Sequence, residues 1–310
     1  MIDVIIAAYN CHDTILRTLL SIYMQTCKDI INVYIVNDGS DECYDREVNI
    51  FKDKLNINVI DLYKNMGPGV ARQVGIDNSN SKYIMFIDSD DVFYNNKSIE
   101  NIYNSISSLD YDVSFGYMGE YNNDNYREFL VGFDVLHAKI YKREFIIKNN
   151  IRFPEIYNSE DLAFNNLVIL SKPRMVKCND YIYMYIRRDK SLTTVDDYYS
   201  DKHIKYYTNS LLYVLDEAIR LNKDEYEIGK LLVSCFSYLY YYFHNNLDDY
   251  TIKYIYELIP YYNKYSCLIS ISDKRTCVEF WIRRINEYDF DMSYEDFIKY
   301  CNNKYEESIV

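Results

Sequence analysis

Tyr83-Ile84-Met85-Phe86-Ile87-Asp88-Ser89-Asp90-Asp91 is the stretch on which the reading of this chain turns. The apolar run Tyr83 to Ile87 reads as a buried strand, and Asp88, Asp90 and Asp91 stand where it leaves the core. Carboxylates clustered at a strand exit suit a divalent cation, because hard cations take oxygen ligands whose charge offsets their own. Such a site can bind metal and phosphate together. The same residues also make an ordinary solvated turn, since Asp and Ser favour turns, so the surrounding sequence has to decide.

Around this stretch the first hundred residues alternate strand and helix patterns, the mark of a parallel α/β sheet. Strands are expected at Asp3–Ala8, Val33–Asn37, Asn58–Leu62 and Tyr83–Asp88. Asp13 is a candidate cap for a helix whose apolar residues Ile15, Leu16, Leu19, Leu20, Ile22 and Tyr23 recur at helical spacing. Asn65-Met66-Gly67-Pro68-Gly69 is a turn cluster, and Pro68 suits the first turn of a helix running to about Asn78. In open sheets ligands gather beyond the carboxyl ends of the strands, where Tyr9-Asn10, Asp38-Gly39-Ser40 and Asp88 to Asp91 would converge.

Further on, helices are expected near Ser98–Ser108, Lys142–Asn149 and Asp161–Ser171, and a strand near Asp112–Tyr117. Two short strands follow, at Arg174–Cys178 and Asp180–Ile186. From about residue 200 the pattern is helical, with Ile228, Leu231, Leu232, Cys235, Leu239, Tyr242 and Phe243 forming one amphipathic stripe and a second helix around Cys277–Ile285. The expected organisation is an α/β domain over 1–195 and an α-helical accessory domain over 196–310 that selects an acceptor or builds an oligomer.

Composition narrows the function classes. A formal net charge of −13 opposes binding to a nucleic-acid backbone, which needs clustered Lys and Arg. No run reaches the roughly 18 apolar residues of a membrane span, and the N-terminus lacks a secretory pattern, so a cytoplasmic chain, peripheral to a membrane at most, is expected. The eight cysteines form no CxxC pair, in keeping with reduced thiols. Tyrosine is abundant, at 37 residues, but Tyr, Asn, Ile, Lys and Asp all have AT-rich codons, which explains most of the excess without function.

Four segments, Val4 to Asn10, Val36 to Asp41, Gly67 to Ile76 and Phe86 to Asp91, resemble in order and spacing the family 2 glycosyltransferases. His137 to Arg143, Ile151 to Glu155, Ser159 to Phe164 and Tyr183 to Thr193 are similar to that family's acceptor-side segments and closing loop. The resemblance covers roughly residues 1–195. It implies a GT-A fold and a metal-dependent, inverting enzyme that moves a hexose or N-acetylhexosamine from a nucleotide-diphosphate sugar to a hydroxyl acceptor, in surface polysaccharide or glycoconjugate synthesis. Two departures stand out: Ala8, where proline is usual, and Gln73, where asparagine is common.

By resemblance, Asp90 of the DXD motif is the metal ligand and Mn²⁺ or Mg²⁺ the cofactor; an oxygen-rich site without clustered His or Cys does not suit zinc. Ala8, Tyr9, Asn10, Asp38, Arg72, Asp88 and Ser89 would line the nucleotide sugar, with Asp38 favouring uracil and hence a UDP-sugar. Arg187, Arg188, Lys190 and Ser191 lie in a cationic loop that would close over the diphosphate. Asp161 is the candidate base, oriented by Glu160, although Ser159, Glu160 and Asp161 equally suit the capped first turn of a helix. His137 and Asp91 are weaker candidates for acceptor contacts. The expected partners are a nucleotide-sugar donor and a glycan, lipid-linked or protein acceptor, with self-association through the C-terminal helices. A non-catalytic nucleotide-sugar or metal-binding module, or a helical scaffold on the same fold, is the alternative.

Overall fold

The structure, a computed structural model, describes residues 1–122, 125–132, 135–156, 158–187, 201–243, 252–282 and 293–309. The chain divides into two compact units, Met1–Val195 and Asp196–Val310.

The first unit is built on a nine-stranded sheet. Its parallel half comprises β1 (Ile2–Ala8), β2 (Ile31–Asn37), β3 (Asn56–Asp61) and β4 (Tyr83–Phe86), in the order β3-β2-β1-β4. Ile2, Val4 and Ile6 of β1 are buried with Val33 and Ile35 of β2, and with Ile15, Leu19 and Ile22 of α1 (His12–Tyr23). Each such side chain contributes about 1.5–3 kcal/mol by leaving water. Leu16 and Leu20, counted above among the apolar residues at helical spacing, are exposed. Asp13 lies in the first turn of α1 and does not cap it, because the helix already begins at His12. A helix absent from the sequence reading, α2 (Asp45–Phe51), follows β2, and α3 (Pro68–Asn78) leads into β4.

Beyond β4 the sheet turns mixed. β8 (Lys139–Lys142) pairs antiparallel with β4, and β6 (Val113–Asn122) pairs antiparallel with β8. β9 (Met175–Ile186) runs parallel to β6, β5 (Val92–Phe93) closes the order antiparallel to β9, and β7 (Asn125–Leu130) forms a hairpin with β6. The two short strands expected at 174–186 are thus one strand. Register shifts between Phe115 and Met118 let β6 stay paired across the polar Asn179-Asp180 step, as a bulge absorbs residues without ending a ladder. α4 (Ser98–Ser107) precedes β6, and α5 (Arg143–Lys148) and α6 (Glu160–Leu170) lie between β8 and β9.

The second unit is helical: α7 (Asp201–Arg220), α8 (Glu225–Phe243), α9 (Lys253–Tyr256), α10 (Ile259–Tyr265), α11 (Ile271–Ile282) and α12 (Tyr294–Ser308). Ile228, Leu232, Cys235, Phe236 and Leu239 of α8 are buried, and the Phe236 ring lies 4.3 Å from that of Tyr262. Ser293 caps α12, its hydroxyl accepting from the Asp296 amide. No described helix is long and apolar enough to cross a membrane, and all the cysteines are free thiols.

Two glycines are required by geometry. Gly39 has φ +70°, and a Cβ there would fall 2.3 Å from the Lys64 carbonyl carbon. Gly75 brings α3 onto β1, where a Cβ would stand 2.4 Å from Cγ2 of the fully buried Ile5. Gly75→Ala is therefore expected to destabilise the chain by about 1–3 kcal/mol despite the better helix propensity of alanine, read as a lowered urea midpoint.

Candidate functional site

The parallel strands end side by side, so their exit loops meet. Asp38 donates its amide to the Ala8 carbonyl at 2.8 Å. The Asn10 amide donates to Ser40 Oγ at 3.0 Å, and its side chain exchanges hydrogen bonds with Asp41. Asn10 adopts a left-handed φ of 47°, a conformation Asn tolerates, and this turns the β1 exit toward that of β2. Ala8 is buried, whereas Tyr9 is half exposed.

Asp38 does more than the sequence suggested. It is buried, and its two carboxylate oxygens accept the amides of Met66 and Gly67 at 2.7 and 2.8 Å. It thereby holds the turn from which α3 starts. Burial pushes its carboxyl up, against those two amides. Each oxygen keeps a second lone pair.

α3 carries Arg72 into the site. The buried guanidinium donates from Nη1 to Glu160 Oε1 at 2.6 Å and from Nη2 to Asp88 Oδ1 at 2.8 Å. One planar fork therefore joins α3, the β4 exit and the start of α6. Phe153 lies 5.9 Å beneath the guanidinium carbon. The neighbouring Gln73, singled out above only as a departure, accepts the Phe153 amide at 2.9 Å and fixes the segment leading to α6.

Asp88, Asp90 and Asp91 each bring a carboxylate oxygen within 4.8 Å of the others. An all-oxygen donor set of this charge fits Mg²⁺ or Mn²⁺. The three differ sharply. Burial alone would lift Asp88, but His137, 3.2 Å away, and Arg72 overcome it and hold that carboxyl well below the usual range. Asp91 is pushed up to about 8, by burial first and then by its two acidic neighbours. It accepts the Tyr183 hydroxyl at 2.5 Å and the Ile186 amide at 2.8 Å. An acceptor contact was expected of Asp91; the structure instead buries it with both oxygens engaged by β9. Asp90 is partly exposed, and its carbonyl takes a hydrogen bond from Arg17. Ser89, also partly exposed, is a hydrogen-bond partner of the Cys11 thiol, which burial pushes up.

His137 was grouped with acceptor contacts. Its imidazole instead faces Asp88 and packs 4.6 Å from the Tyr183 ring. Burial lowers its affinity for a proton, but Asp88 more than compensates, so its pKa is raised.

Glu160 and Asp161 open α6. Ser159 does not cap this helix through its side chain; it is held at φ 65°, and the turn it makes swings Glu160 toward Arg72. Burial, opposed by Arg72, raises Glu160 to about 7. Asp161, partly exposed, is also raised by burial, with Arg72 opposing, and its Oδ1 accepts the Leu162 amide at 2.8 Å.

Arg187, at the end of β9, is exposed and pairs through Nε with Glu120 at 3.0 Å. Arg188, Lys190 and Ser191 lie outside the described residues. The structure thus brings Arg72, Asp88, Asp90, Asp91, His137, Glu160 and Asp161 into one ion-paired site beside the β1 and β2 exits. Tyr183, which donates to Asp91 and accepts the Asp88 amide at 3.2 Å, was missed. Among 37 tyrosines nothing local distinguished it.

Arg72→Met would strand two carboxylates and is expected to cost about 3–5 kcal/mol. Arg72→Lys should recover less than half of it, because an ammonium cannot span both partners. Urea unfolding of the three proteins checks this.

Residues 3–165 match the family described as Glycosyl transferase family 2. The chain is 26% identical over 226 residues to the glycosyltransferase GlyA of Streptococcus pneumoniae, covering 73% of this chain and 30% of that protein. It is 29% identical over 198 residues to the Escherichia coli UDP-Glc:alpha-D-GlcNAc-diphosphoundecaprenol beta-1,3-glucosyltransferase WfaP, covering 60% of this chain and 77% of that one. Among solved structures, Staphylococcus aureus TarS 1-349 in complex with UDP-GlcNAc superimposes with a TM-score of 0.72 at 20% identity, covering 93% of each chain. The sequence match spans 30% of GlyA and 35% of TarS, well under two thirds of either protein. The fold is that of a GT-A domain followed by a helical region.

Proposed function

This chain belongs to glycosyl transferase family 2, and on that premise we propose that it is an inverting glycosyltransferase that moves a sugar from a nucleotide diphosphate, by preference UDP, to a hydroxyl acceptor in surface polysaccharide or glycoconjugate synthesis. The observation that carries the reading is the Arg72 bridge, which joins the Asp88 to Asp91 cluster to the Glu160-Asp161 pair. A donor-side and an acceptor-side carboxylate group are thereby held in one site. TarS has been solved with UDP-GlcNAc, and WfaP is named for UDP-Glc, which supports the UDP preference.

Ala8, Tyr9, Asn10 and Asp38 frame the base at the strand exits, while Arg72, Asp88 and Ser89 bound the sugar diphosphate. Arg187, exposed after β9, offers a guanidinium to the same diphosphate, and the family resemblance assigns Arg188 and Ser191 to it as well. Asp90 is the direct ligand for Mn²⁺ or Mg²⁺, and Asp88 stands beside it. The bound ion supplies charge stabilisation to the departing diphosphate.

In the transfer, the acceptor oxygen bonds to the anomeric carbon as the bond to the diphosphate oxygen breaks, and the electron pair leaves with the nucleotide. Asp161 takes the proton of the attacking hydroxyl. Its raised pKa makes it a better proton acceptor than an ordinary surface carboxylate. Glu160, fixed by Arg72, orients this end of the site. The second unit, 196–310, selects the acceptor or joins copies of the chain.

Asp161→Asn should lower transfer about 10²–10⁴-fold while UDP-sugar binding in a thermal-shift assay is kept; near-normal transfer would move the base elsewhere. Because Asp161 works deprotonated and its pKa is raised, kcat should fall as pH drops through a value above the usual carboxylate range. A rate that is flat across that range would contradict it. Asp90→Ala should abolish Mn²⁺-dependent turnover, and wild-type activity surviving excess chelator would remove the metal from the mechanism.

A further inference from the structure

Away from the ion-paired site, four tyrosines from separate parts of the first unit converge at the surface. They are Tyr94 just after β5, Tyr117 of β6, Tyr126 of β7 and Tyr181 of β9. The Tyr94 and Tyr181 rings stack with centroids 4.9 Å apart and planes 27° apart, and Tyr117 lies 5.3 Å from Tyr181. The hydroxyls of Tyr94, Tyr126 and Tyr181 meet one carboxylate, while that of Tyr117 accepts from Lys177 Nζ at 2.8 Å. Tyr94 donates to Glu128 Oε1 at 3.0 Å, Tyr126 lies 2.8 Å from the Tyr94 hydroxyl and bonds the same oxygen, and Tyr181 also hydrogen-bonds Glu128. Tyr126 is 47% exposed, Glu128 is exposed, and the other three rings are half-buried.

Codon bias accounts for how many tyrosines the chain has, but not for three of them sharing one surface carboxylate with a fourth ring packed against them. Flat aromatic faces beside fixed hydrogen-bonding groups match a pyranose, whose ring face is apolar C–H and whose rim is hydroxyl. The rings take the face by dispersion, and Glu128 accepts from the rim. Glu128 on one side and Lys177, whose Nζ lies 4.8 Å over the Tyr117 ring, on the other leave the patch without a net charge to select an ion, which favours a neutral saccharide. One strand, β9, carries both a ring of this patch and a residue of the transfer site. Tyr181 lies two residues before Tyr183, whose hydroxyl binds Asp91, and two residues of strand span about 7 Å.

We propose that Tyr94, Tyr117, Tyr126, Tyr181 and Glu128 form a saccharide-binding platform that holds a neutral stretch of the acceptor glycan beyond its reacting hydroxyl. The assignment rests on the transferase reading and is separable from it by experiment. The full chain is titrated calorimetrically with cellopentaose and chitopentaose, two neutral β-linked probes, and separately with UDP plus Mn²⁺. At least one saccharide should bind the wild type, and Tyr126→Ala and Glu128→Ala should each weaken it about tenfold, the loss of roughly one ring contact or charged hydrogen bond. UDP affinity should not change in either variant, which also shows that both are folded. Absence of binding by both saccharides, or unchanged affinity in both variants, would overturn the platform. If UDP binds and the saccharides do not, the platform alone falls. If the saccharides bind as described and UDP does not, the transferase reading falls and the platform stands.

Discussion

A buried guanidinium needs its charge matched, and in this chain Arg72 is matched by carboxylates from two other elements. That requirement sets the architecture of the site. α3, the β4 exit and the first turn of α6 are far apart in sequence, yet none can move without leaving a charge unpaired in a water-poor interior. Arg suits the task because its fork is planar and stays protonated when buried. Gln73 reinforces it one residue on, by fixing Phe153 and hence the approach to α6.

The carboxylates around this bridge are chemically similar and behave differently because of where they point. Asp88 faces two cationic groups and stays ionised, while Asp91, three residues on, is buried beside two other carboxylates and is driven up to about 8 despite the phenol and amide that bond it. One therefore contributes negative charge to the open side of the site, and the other ties β9 to the loop after β4. Glu160 and Asp161 divide similarly, the first locked to Arg72 and the second partly exposed. A short acidic motif thus yields both buried struts and partly exposed carboxylates, with the split set by burial and neighbours rather than by residue type.

The mixed half of the sheet serves the same end. β9 delivers Tyr183 to Asp91 and the Ile186 amide beside it, and its pairing with β6 survives two register shifts. The same strand carries Tyr181 to the tyrosine cluster around Glu128. A single strand therefore links the ion-paired centre to a surface rich in aromatic rings.

Periodicity and composition by themselves determined the parallel βα units, the helical second half, and the convergence of polar strand exits, because burial of alternating and helically spaced apolar residues is a local property of the chain. Ile5, Ile35 and Met85 could be placed in a core without coordinates. The motif order determined the family. The hairpin of β6 and β7 stayed hidden, since Tyr121 to Tyr126 is polar and reads as loop, and its strands are held by cross-strand pairs such as Glu120 with Arg127. Only tertiary structure decided that Asp91 is a buried strut, that Asp38 holds a turn, that His137 faces Asp88, and that Ser159 turns rather than caps. Each depends on which distant partner occupies the space beside a polar group, and a linear sequence does not encode proximity between groups that only folding brings into contact.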